Sequence, residues 1–386
     1  MNDIKRVGVI GGGQLAWMMG GAAKNLGIEL VIQTPHTTDP AVAFASETIL
    51  APIDDATATA KLATRCDAIT FENEFINLEA LMPLQEKGIC FRPRLEALAP
   101  LLDKYHQRCY LRDLGLPVPK FVALEENTQA AIDQFLFPLV LKARRHGYDG
   151  QGTFMIENRE TFEATLEKLG ENPVLLEEFV PFERELAVIA ARSVAGEVVV
   201  YPVVETQQEE QVCRRVIVPS ELDSSVMSAI EAIAHTLLNS LQVVGLFGIE
   251  LFLTSDGKIL VNEIAPRTHN SGHFTIDACH TSQFEQHLRA VCNLPLGNPA
   301  LHCGAAVMVN LLGYEYSHSD YLTKRQQIAQ IPNSHVHWYG KTESRPGRKL
   351  GHVTLLLDSA NQSEAQALAQ KVESIWYREW RIGNGE

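Results

Sequence analysis

A hairpin signal around residue 257 constrains the fold more than any other feature of this sequence. Asp256-Gly257 lies between two apolar runs, Gly248–Thr254 and Lys258–Ile264. Asp-Gly is typical of a two-residue type I′ turn, because both central residues of that turn need a positive φ. If these two residues form the loop, Glu250 lies directly opposite Glu263 in the paired strands.

The predicted register brings two carboxylates together beside apolar side chains. On the same face, Phe252 would lie opposite Val261 and Thr254 opposite Ile259. Opposed Cβ atoms are about 4.5–5.5 Å apart, and like charges at that distance destabilise a sheet unless one is protonated or a cation binds between them. Oxygen ligands suit Mg²⁺, and Mn²⁺ can replace it, so the pair indicates a metal site. A solvated edge hairpin, or a β-bulge that breaks the register, is the alternative.

Length and composition limit the class of protein. With 386 residues the chain predicts two or three domains. Its net charge of −14 disfavours nucleic acid, and no apolar run approaches the about 20 residues that span a bilayer. Because the sequence begins almost directly with a strand, we expect no signal peptide. Seven cysteines without a C-x-x-C pair predict reduced thiols in a cytoplasmic protein, and thirteen histidines without a clustered spacing disfavour a zinc site.

The N-terminal segment predicts a βαβ unit with a glycine-rich turn. Strand Arg6–Ile10 precedes Gly11-Gly12-Gly13-Gln14-Leu15-Ala16, a helix over Trp17–Leu26 and strand Ile28–Gln33. The turn matches G-x-G-x-x-A, but dinucleotide-binding folds carry an acid at the end of the second strand, where this chain has Gln33. A dinucleotide cofactor is therefore disfavoured. Exposed N–H groups of the turn could still bind a phosphate, and a tight turn that needs small residues is an equal alternative.

Further polar clusters follow or interrupt the predicted strands. They are Glu72-Asn73-Glu74 after strand Ala68–Phe71, Lys142 with the glycine- and arginine-rich loop 143–152, the acidic segment 177–185, the donor-rich segment 265–273 and the basic segment 337–349. Ligands bind at the carboxyl ends of strands in open α/β sheets, and mobile glycine loops close over phosphates. Each cluster could instead be solvated, but the basic one favours an anionic ligand because the chain is otherwise acidic.

Longer motifs carry a resemblance that covers residues 6 to about 355. In chain order they are GGGQL, K-x-R-R-x-G-Y-D-G-x-G, EEFVPFERE, VNEIAPR-x-HNSGH, SQFEQHLRA and RPGRK-x-GH. In this combination the chain resembles the 5-(carboxyamino)imidazole ribonucleotide synthase family, which are bicarbonate-using ATP-grasp enzymes of purine biosynthesis.

The resemblance implies an α/β protein with the ATP-grasp fold, a Rossmann-like N-terminal pre-ATP-grasp domain and a small C-terminal domain. We expect the N-terminal domain at residues 1–102, the ATP-grasp domain at 103–295 and the C-terminal domain at 300–386. Within the ATP-grasp domain, a lid subdomain would cover about 115–180. ATP and bicarbonate would form carboxyphosphate, which would carboxylate the amine of aminoimidazole ribonucleotide. The partners would be these small molecules, without nucleic acid or membrane, and the protein would be a homodimer.

The resemblance also implies site residues by position. Glu250 and Glu263 would bind Mg²⁺, as the hairpin register independently suggests. Lys104 and Lys142 would contact ATP phosphates, Glu177 and Val180 the adenine, and Glu185 the ribose. The remaining ATP contacts would be the lid residues Gly147, Tyr148, Asp149, Gly150, Gln151, Gly152 and Thr153, together with Glu178, Phe179, Gln208, Asn262 and Glu263. The ribonucleotide would contact Gly13, Gln14, Leu15, Glu74, Asn270, Ser271 and Arg348, and the catalytic residues would be Tyr148, Arg267, His269 and Lys341.

Four positions depart from the commoner family pattern, and other functions remain open. Lys104 replaces an arginine, Gln151 a basic residue, Gln208 a histidine and Ala16-Trp17 a Gly-Arg pair. The alternatives are another ATP-grasp ligase, such as a formate-dependent ribonucleotide transformylase, a dinucleotide-dependent oxidoreductase, and a non-catalytic nucleotide sensor. The sensor is disfavoured because both metal glutamates and Lys142 are present.

Overall fold

The computed structural model describes residues 4–124, 135–145, 152–209 and 211–377. In that part of the chain, three β-sheets organise the fold. No helix there is long and apolar enough to cross a membrane.

The first sheet is parallel and N-terminal. Its strands are β1 (Arg6–Ile10), β2 (Glu29–Thr34), β3 (Glu47–Leu50) and β4 (Ala68–Phe71), in the order β3-β2-β1-β4, and its helices are α1 (Gln14–Leu26), α2 (Ala56–Ala63), α3 (Leu78–Glu86) and α4 (Leu95–Leu98), with a 3₁₀ turn at Pro40–Ala43. Helix α1 ends at Gly27, whose φ of 67° is left-handed and favours glycine. The predicted βαβ unit is confirmed, with α1 beginning three residues earlier than expected.

The second sheet is small and antiparallel. It contains β5 (Phe121–Leu124), β6 (Leu139–Ala143), β7 (Thr153–Ile156) and β8 (Val174–Glu178) in the order β5-β8-β6-β7. Helix α5 (Lys104–Asp113) precedes it, and helix α6 (Arg159–Leu169) buries Phe162 in its core. Asp103 caps α5 by accepting hydrogen bonds from the N–H groups of Tyr105 and His106. This cap fixes the start of the helix that carries Lys104.

The third sheet has nine strands. They are β9 (Phe182–Arg192), β10 (Val198–Val200), β11 (Val204–Glu209), β12 (Val212–Val218), β13 (Gly245–Thr254), β14 (Ile259–Ala265), β15 (Ala305–Leu312), β16 (Ser334–Trp338) and β17 (Lys349–Leu357). The order is β14-β13-β9-β11-β12-β15-β17-β16, and β10 pairs with β9. Helices α7 (Ser224–Leu241), α8 (Thr275–Ala278), α9 (Gln283–Val291), α10 (Leu322–Ala329) and α11 (Gln362–Trp376), and a 3₁₀ turn at Asn270–Gly272, complete this part. The pairing of β12 with β15 continues the sheet into the C-terminal strands.

Helix α9 joins the first sheet to the third. Phe284 and Leu288 pack in one apolar cluster with Val7 of β1. On the same helix, His287 Nδ1 accepts a hydrogen bond from the Leu246 amide at 3.2 Å, and its Nε2 lies 2.8 Å from Thr70 Oγ1. The amide fixes Nδ1 as the acceptor, so the neutral ring carries its proton on Nε2 and donates it to Thr70.

The hairpin of β13 and β14 has a different turn from the one predicted. Its loop contains three residues, Ser255-Asp256-Gly257, because Thr254 N–H donates to the Lys258 carbonyl and Gly257 N–H donates to the Thr254 carbonyl. Gly257 has a φ of 79°, whereas Asp256 is outside the left-handed region. The type I′ prediction is therefore wrong, and the loop matches the three-residue class with a left-handed glycine at its end.

A β-bulge at Asn262 compensates for the longer loop. Near the turn, Phe252 pairs with Leu260 and Leu253 pairs with Ile259, so the predicted partners of Phe252 and Thr254 are wrong. The register then shifts by one residue between Glu250 and Leu251, and Glu250 pairs with Glu263 as predicted.

Candidate active site

A cavity of about 1150 Å³ is lined from all three sheets. It brings together most of the predicted site residues, namely Gln14, Leu15, Glu74, Lys104, Lys142, Thr153, Glu177, Glu178, Phe179, Val180, Glu185, Gln208, Glu250, Asn262, Glu263, Arg267, His269, Asn270, Lys341 and Arg348. Gly13 lines an adjoining cavity of about 410 Å³, whereas Gly152 and Ser271 line neither. Gly147, Tyr148, Asp149, Gly150 and Gln151 lie outside the described residues.

The two opposed glutamates differ in pKa. Burial and the negative charge of Glu263 raise the pKa of Glu250 to about 7. Burial also acts to raise the pKa of Glu263, but the ammonium of Lys104, 2.6 Å from Glu263 Oε2, outweighs it and lowers that pKa. Asn262 Nδ2 donates to Glu250 Oε2 at 3.3 Å. The pair therefore holds more negative charge than the neighbouring cations compensate, and a further cation would replace the proton on Glu250.

Lys142 is held beside this pair by a buried ion cluster. Its Nζ lies 2.7 Å from Glu177 Oε2 and donates to Asn262 Oδ1 at 3.1 Å, while Arg108 binds the other oxygen of Glu177. Burial acts to raise the pKa of Glu177, but the two cations lower it to about 2. The carboxylate of Glu177 thus positions Lys142, and because the residue also lines the cavity, its contact with the adenine stays a prediction.

An acidic and apolar wall runs along β9. Glu185 lies within this strand and is paired with Phe252 of β13. Burial and the charge of Glu250 raise the pKa of Glu185 to about 7, although Gln208 donates a hydrogen bond that opposes the rise. Phe182 stacks on Phe252 with ring centroids 4.7 Å apart. The wall thus offers a flat apolar surface next to a carboxyl group.

His269 contributes a neutral imidazole to the cavity. Burial and the nearby Arg267 lower the pKa of His269 to about 3. Its Nδ1 accepts a hydrogen bond from the Ser271 amide at 3.4 Å, and Ser271 Oγ lies 2.8 Å away, so Nε2 carries the proton and faces Glu250 Oε1 at 3.4 Å. Ser271 therefore orients this histidine and lines neither cavity, and its contact with the ribonucleotide stays a prediction.

Arg267 and Glu74 form a salt bridge at the cavity wall. The guanidinium donates to both carboxylate oxygens, with Nε–Oε2 at 2.5 Å and Nη2–Oε1 at 3.0 Å. Its Nη1 donates to the Thr268 carbonyl at 3.1 Å. This bidentate arrangement fixes the plane of the guanidinium at the cavity surface.

The carboxylate of Glu72 binds the N–H groups of the glycine turn. Gly13 N–H donates to Glu72 Oε2 at 2.7 Å, and Leu15 N–H donates to Oε1 at 3.1 Å. A Cβ at Gly13 would lie 2.4 Å from Glu72 Oε1, so the close approach requires glycine. A carboxylate of the protein therefore occupies the Gly13 and Leu15 amides in this structure, and phosphate binding at the turn stays a prediction.

The basic segment lies between the two cavities. Lys341 Nζ donates to Gln14 Oε1 at 2.7 Å and to the Lys349 carbonyl at 2.6 Å, which links the C-terminal strands to the glycine turn. Arg348 is half-buried, donates to the Glu343 carbonyl at 2.8 Å, and lines both cavities. The predicted anion-binding cluster thus faces the cavity system and is only partly solvated.

Two polar residues of the site were missed from the sequence. Arg108 follows Lys104 by four residues on α5, and this helical spacing could have placed both on one face. Asn310 lies in the middle of the apolar strand β15 and exchanges amide hydrogen bonds with Asn270 at 2.8 and 3.0 Å. A single asparagine in such a strand has no spacing signal, because its partner is distant in sequence.

Comparison with known protein families divides the chain into three parts. Residues 4–100 match a ribonucleotide synthetase preATP-grasp domain, residues 109–284 an ATP-grasp domain, and residues 306–366 the phosphoribosylaminoimidazole carboxylase C-terminal domain. The predicted fold class, an ATP-grasp domain with an N-terminal pre-ATP-grasp domain and a small C-terminal domain, is confirmed.

Full-length relatives agree with this arrangement. The chain is 53% identical over 382 residues to the N5-carboxyaminoimidazole ribonucleotide synthase of Synechococcus elongatus, covering 97% of this chain and 96% of that protein. A crystal structure of an N5-carboxyaminoimidazole ribonucleotide synthetase in complex with ADP superposes with a TM-score of 0.90 at 36% identity, covering 98% and 99% of the two chains. The Aspergillus clavatus synthase with ADP and 5-aminoimidazole ribonucleotide has a TM-score of 0.90 at 31% identity, covering 98% and 100%.

Proposed function

The chain belongs to the family of N5-carboxyaminoimidazole ribonucleotide synthases, and on this premise we propose that it carboxylates the amine of 5-aminoimidazole ribonucleotide with ATP and bicarbonate. The activity is that of an ATP-grasp ligase of purine biosynthesis. The geometry that supports it is the opposed pair Glu250 and Glu263, with Lys104 and Lys142 beside it in one cavity. A formate-dependent ligase or an oxidoreductase is not favoured, since these relatives are named N5-carboxyaminoimidazole ribonucleotide synthases.

The carboxylate pair fits Mg²⁺, or Mn²⁺ in its place. Both glutamates supply oxygen, the ligand type that these ions prefer. Burial and the charge of Glu263 raise the pKa of Glu250, and a cation between the two carboxylates would oppose both effects. When bound there, the ion would neutralise the phosphates of ATP during transfer of the phosphoryl group.

The chain's own residues would hold ATP on both sides of this pair. Lys142, fixed by Glu177, and Lys104 would contact the phosphates, and Lys104 would exchange part of its contact with Glu263 for them. The adenine would lie against the segment that includes Val180, and the ribose hydroxyls near Glu185. We assign the lid to residues 147–153, mostly outside the described part of the chain, because carboxyphosphate must be shielded from water.

The reaction would proceed in two displacements. A bicarbonate oxygen attacks the γ-phosphorus, the bond to ADP breaks, and carboxyphosphate forms. The ribonucleotide amine then attacks the carboxyl carbon, and the departing phosphate takes the amine proton. Arg267, held by Glu74, would bind the carboxyl oxygens, and His269 would donate its Nε2–H as a neutral imidazole. Lys341 would stabilise the same anion from the basic segment.

The ribonucleotide would extend into the smaller cavity. Arg348 and Lys341 supply positive charge there, and Gln14 and Gly13 also line this cavity. We propose that this end receives the phosphate of the ribonucleotide, while Asn270, fixed by Asn310, faces its base. The negative charge of Glu72 is already engaged by the glycine-turn amides.

We also propose the finer organisation of the protein. The domains would divide at 1–102, 103–295 and 300–386, and the functional unit would be a homodimer in the cytoplasm. Seven cysteines without a disulfide support a reducing compartment.

Phosphate release tests this function when ATP, bicarbonate and aminoimidazole ribonucleotide are each omitted in turn. We expect coupled turnover only with all three, and turnover that ignores bicarbonate, or that accepts formate in its place, would contradict the proposal. Glu263→Gln should abolish turnover at ordinary Mg²⁺ with an unchanged fold. Asp256→Asn, at the exposed turn of the same hairpin, is the matched control and should retain activity.

A further inference from the structure

A second cluster of metal-binding side chains lies outside the described cavity. One ligand atom each from Asp277, His337 and His352 lies within 4.8 Å of those of the other two. Asp277 belongs to α8, and the histidines are directly paired residues of β16 and β17. None of the three lines the active-site cavity or its neighbour.

The side chains of this cluster contact one another. His337 Nε2 lies 2.8 Å from Asp277 Oδ2, and the rings of His337 and His352 stack with centroids 4.5 Å apart. His335 Nδ1 lies 3.7 Å from the other oxygen of Asp277. Two imidazoles and a carboxylate, with a third imidazole near by, form a donor set typical of zinc in proteins.

His352 supplies an independent sign of a missing ligand. It is fully buried, its Nδ1 lies 2.8 Å from the Tyr339 hydroxyl, and its Nε2 has no hydrogen-bond partner among the described residues. An unsatisfied buried polar atom costs about 1–3 kcal/mol, so such atoms usually have an occupant. A hydroxyl that accepts from Nδ1–H leaves the Nε2 lone pair free and orients the ring, as outer partners of metal-binding histidines commonly do.

We propose that Asp277, His337 and His352 bind one Zn²⁺ or a similar borderline transition-metal ion, distinct from the ion at the carboxylate pair. His335 or a water completes the coordination. Asp277 and His337 are partly exposed, with side-chain exposures of 10% and 22%, and give the ion a route from solvent. Nitrogen ligands favour zinc over Mg²⁺, which prefers oxygen, so the two sites select different ions.

The ion would fasten the C-terminal hairpin to the ATP-grasp part of the chain. Strands β16 and β17 flank the segment from Tyr339 to Arg348 that carries the basic residues facing the cavity. Asp277 lies on α8, directly before helix α9. A metal bond between them would hold the basic segment at a fixed distance from Asn270 and His269, so its role is structural.

Sequence spacing could not reveal this site. The ligands are 60 and 15 residues apart in the chain, and only the antiparallel pairing of β16 and β17 brings the histidines together. The prediction that zinc is disfavoured rested on spacing alone, and the folded arrangement of the described residues changes it.

Calorimetric titration of the untagged full chain with ZnCl₂ tests the proposal, with excess MgCl₂ present to fill the carboxylate pair. We expect one equivalent of zinc to bind, and binding to be at least about tenfold weaker in His337→Gln and in Asp277→Asn. His235→Gln, on α7 and remote from the cluster, is the matched control and should bind like the unchanged protein. Zinc at 100 times its dissociation constant should shift the unfolding equilibrium about 100-fold towards the folded state.

Two outcomes would overturn this site. In the first, the unchanged protein binds zinc no more tightly than His337→Gln does. A buried water would then be the occupant beside His352. The other is one equivalent that survives both site variants. Glu263→Gln separates this inference from the proposed function, because it should lose turnover and still bind the zinc equivalent.

Discussion

Replacing Glu250 with glutamine should stabilise the metal-free protein, although Glu250 is central to the proposed metal site. Burial and Glu263 raise its pKa from 4.5 to about 7. A carboxyl group whose pKa is higher in the folded state binds a proton on folding, so its ionised form opposes folding. The stability that the protonated Glu250 carboxyl contributes is therefore fully present below pH 4.5 and is lost as the pH rises through 7.

The size of this effect follows from the pKa difference and the exposure of the side chain. At pH 8 the difference corresponds to at most about 3 kcal/mol. The Glu250 side chain is 32% exposed, and solvent screening reduces the expected gain to about 1.5 kcal/mol. At pH 5 most of the penalty is absent, so the gain should be about 0.4 kcal/mol.

Urea denaturation in EDTA at both pH values measures the gain. Glu263→Gln is the matched comparison, because the pKa of Glu263 is lowered by Lys104 and the same substitution there should reduce stability at pH 8. Equal stability of Glu250→Gln and the unchanged protein at pH 8, or a gain that does not depend on pH, would refute the charge argument. Both variants should lose ATP turnover.

Three other perturbations test separate contacts. Glu177→Gln should lower the free energy of unfolding by about 3–5 kcal/mol in urea titrations, since two buried cations lose their carboxylate, whereas the exposed Glu178→Gln should cost under about 0.5 kcal/mol. Arg348→Ala should raise the KM for the ribonucleotide about tenfold and leave that for ATP within about twofold, and equal effects would place Arg348 elsewhere. Burial lowers the pKa of His287 from 6.5 to about 4, so its contribution to stability is present above pH 6.5 and lost towards pH 4. His287→Asn should lose stability less steeply over that range, and an unchanged pH slope would contradict this assignment.

Local periodicity predicted the elements of the first half of the chain well. The strand at Arg6–Ile10 and the strand at Ala68–Phe71 have the bounds expected from their apolar runs and flanking residues. The hairpin shows where such reasoning ends. The predicted pairing of Glu250 with Glu263 is right, but only because a longer loop and a bulge at Asn262 offset each other. Neither the loop length nor the bulge has a sequence pattern that distinguishes it from a regular hairpin.

The site could be predicted as a set of residues, but only partly as a set of contacts. Motifs gathered the acids and lysines correctly into one cavity. They could not show that Glu177 pairs with Arg108 and Lys142, or that Ser271 orients His269, because these partners are set by tertiary packing. Burial decides which charges face a ligand and which face each other, and burial depends on the whole fold.

The carboxylate of Glu72 has a consequence for how this protein could be redesigned. Dinucleotide-binding domains leave the N–H groups of their first glycine turn free for a pyrophosphate, whereas in this chain the side chain of Glu72, directly after β4, accepts hydrogen bonds from two of them. Grafting an acid onto Gln33 would therefore not create a nicotinamide enzyme, because the incoming anion would have to displace a tethered competitor of effectively very high local concentration. The N-terminal domain thus supplies the anion at its own glycine turn, through the side chain of Glu72.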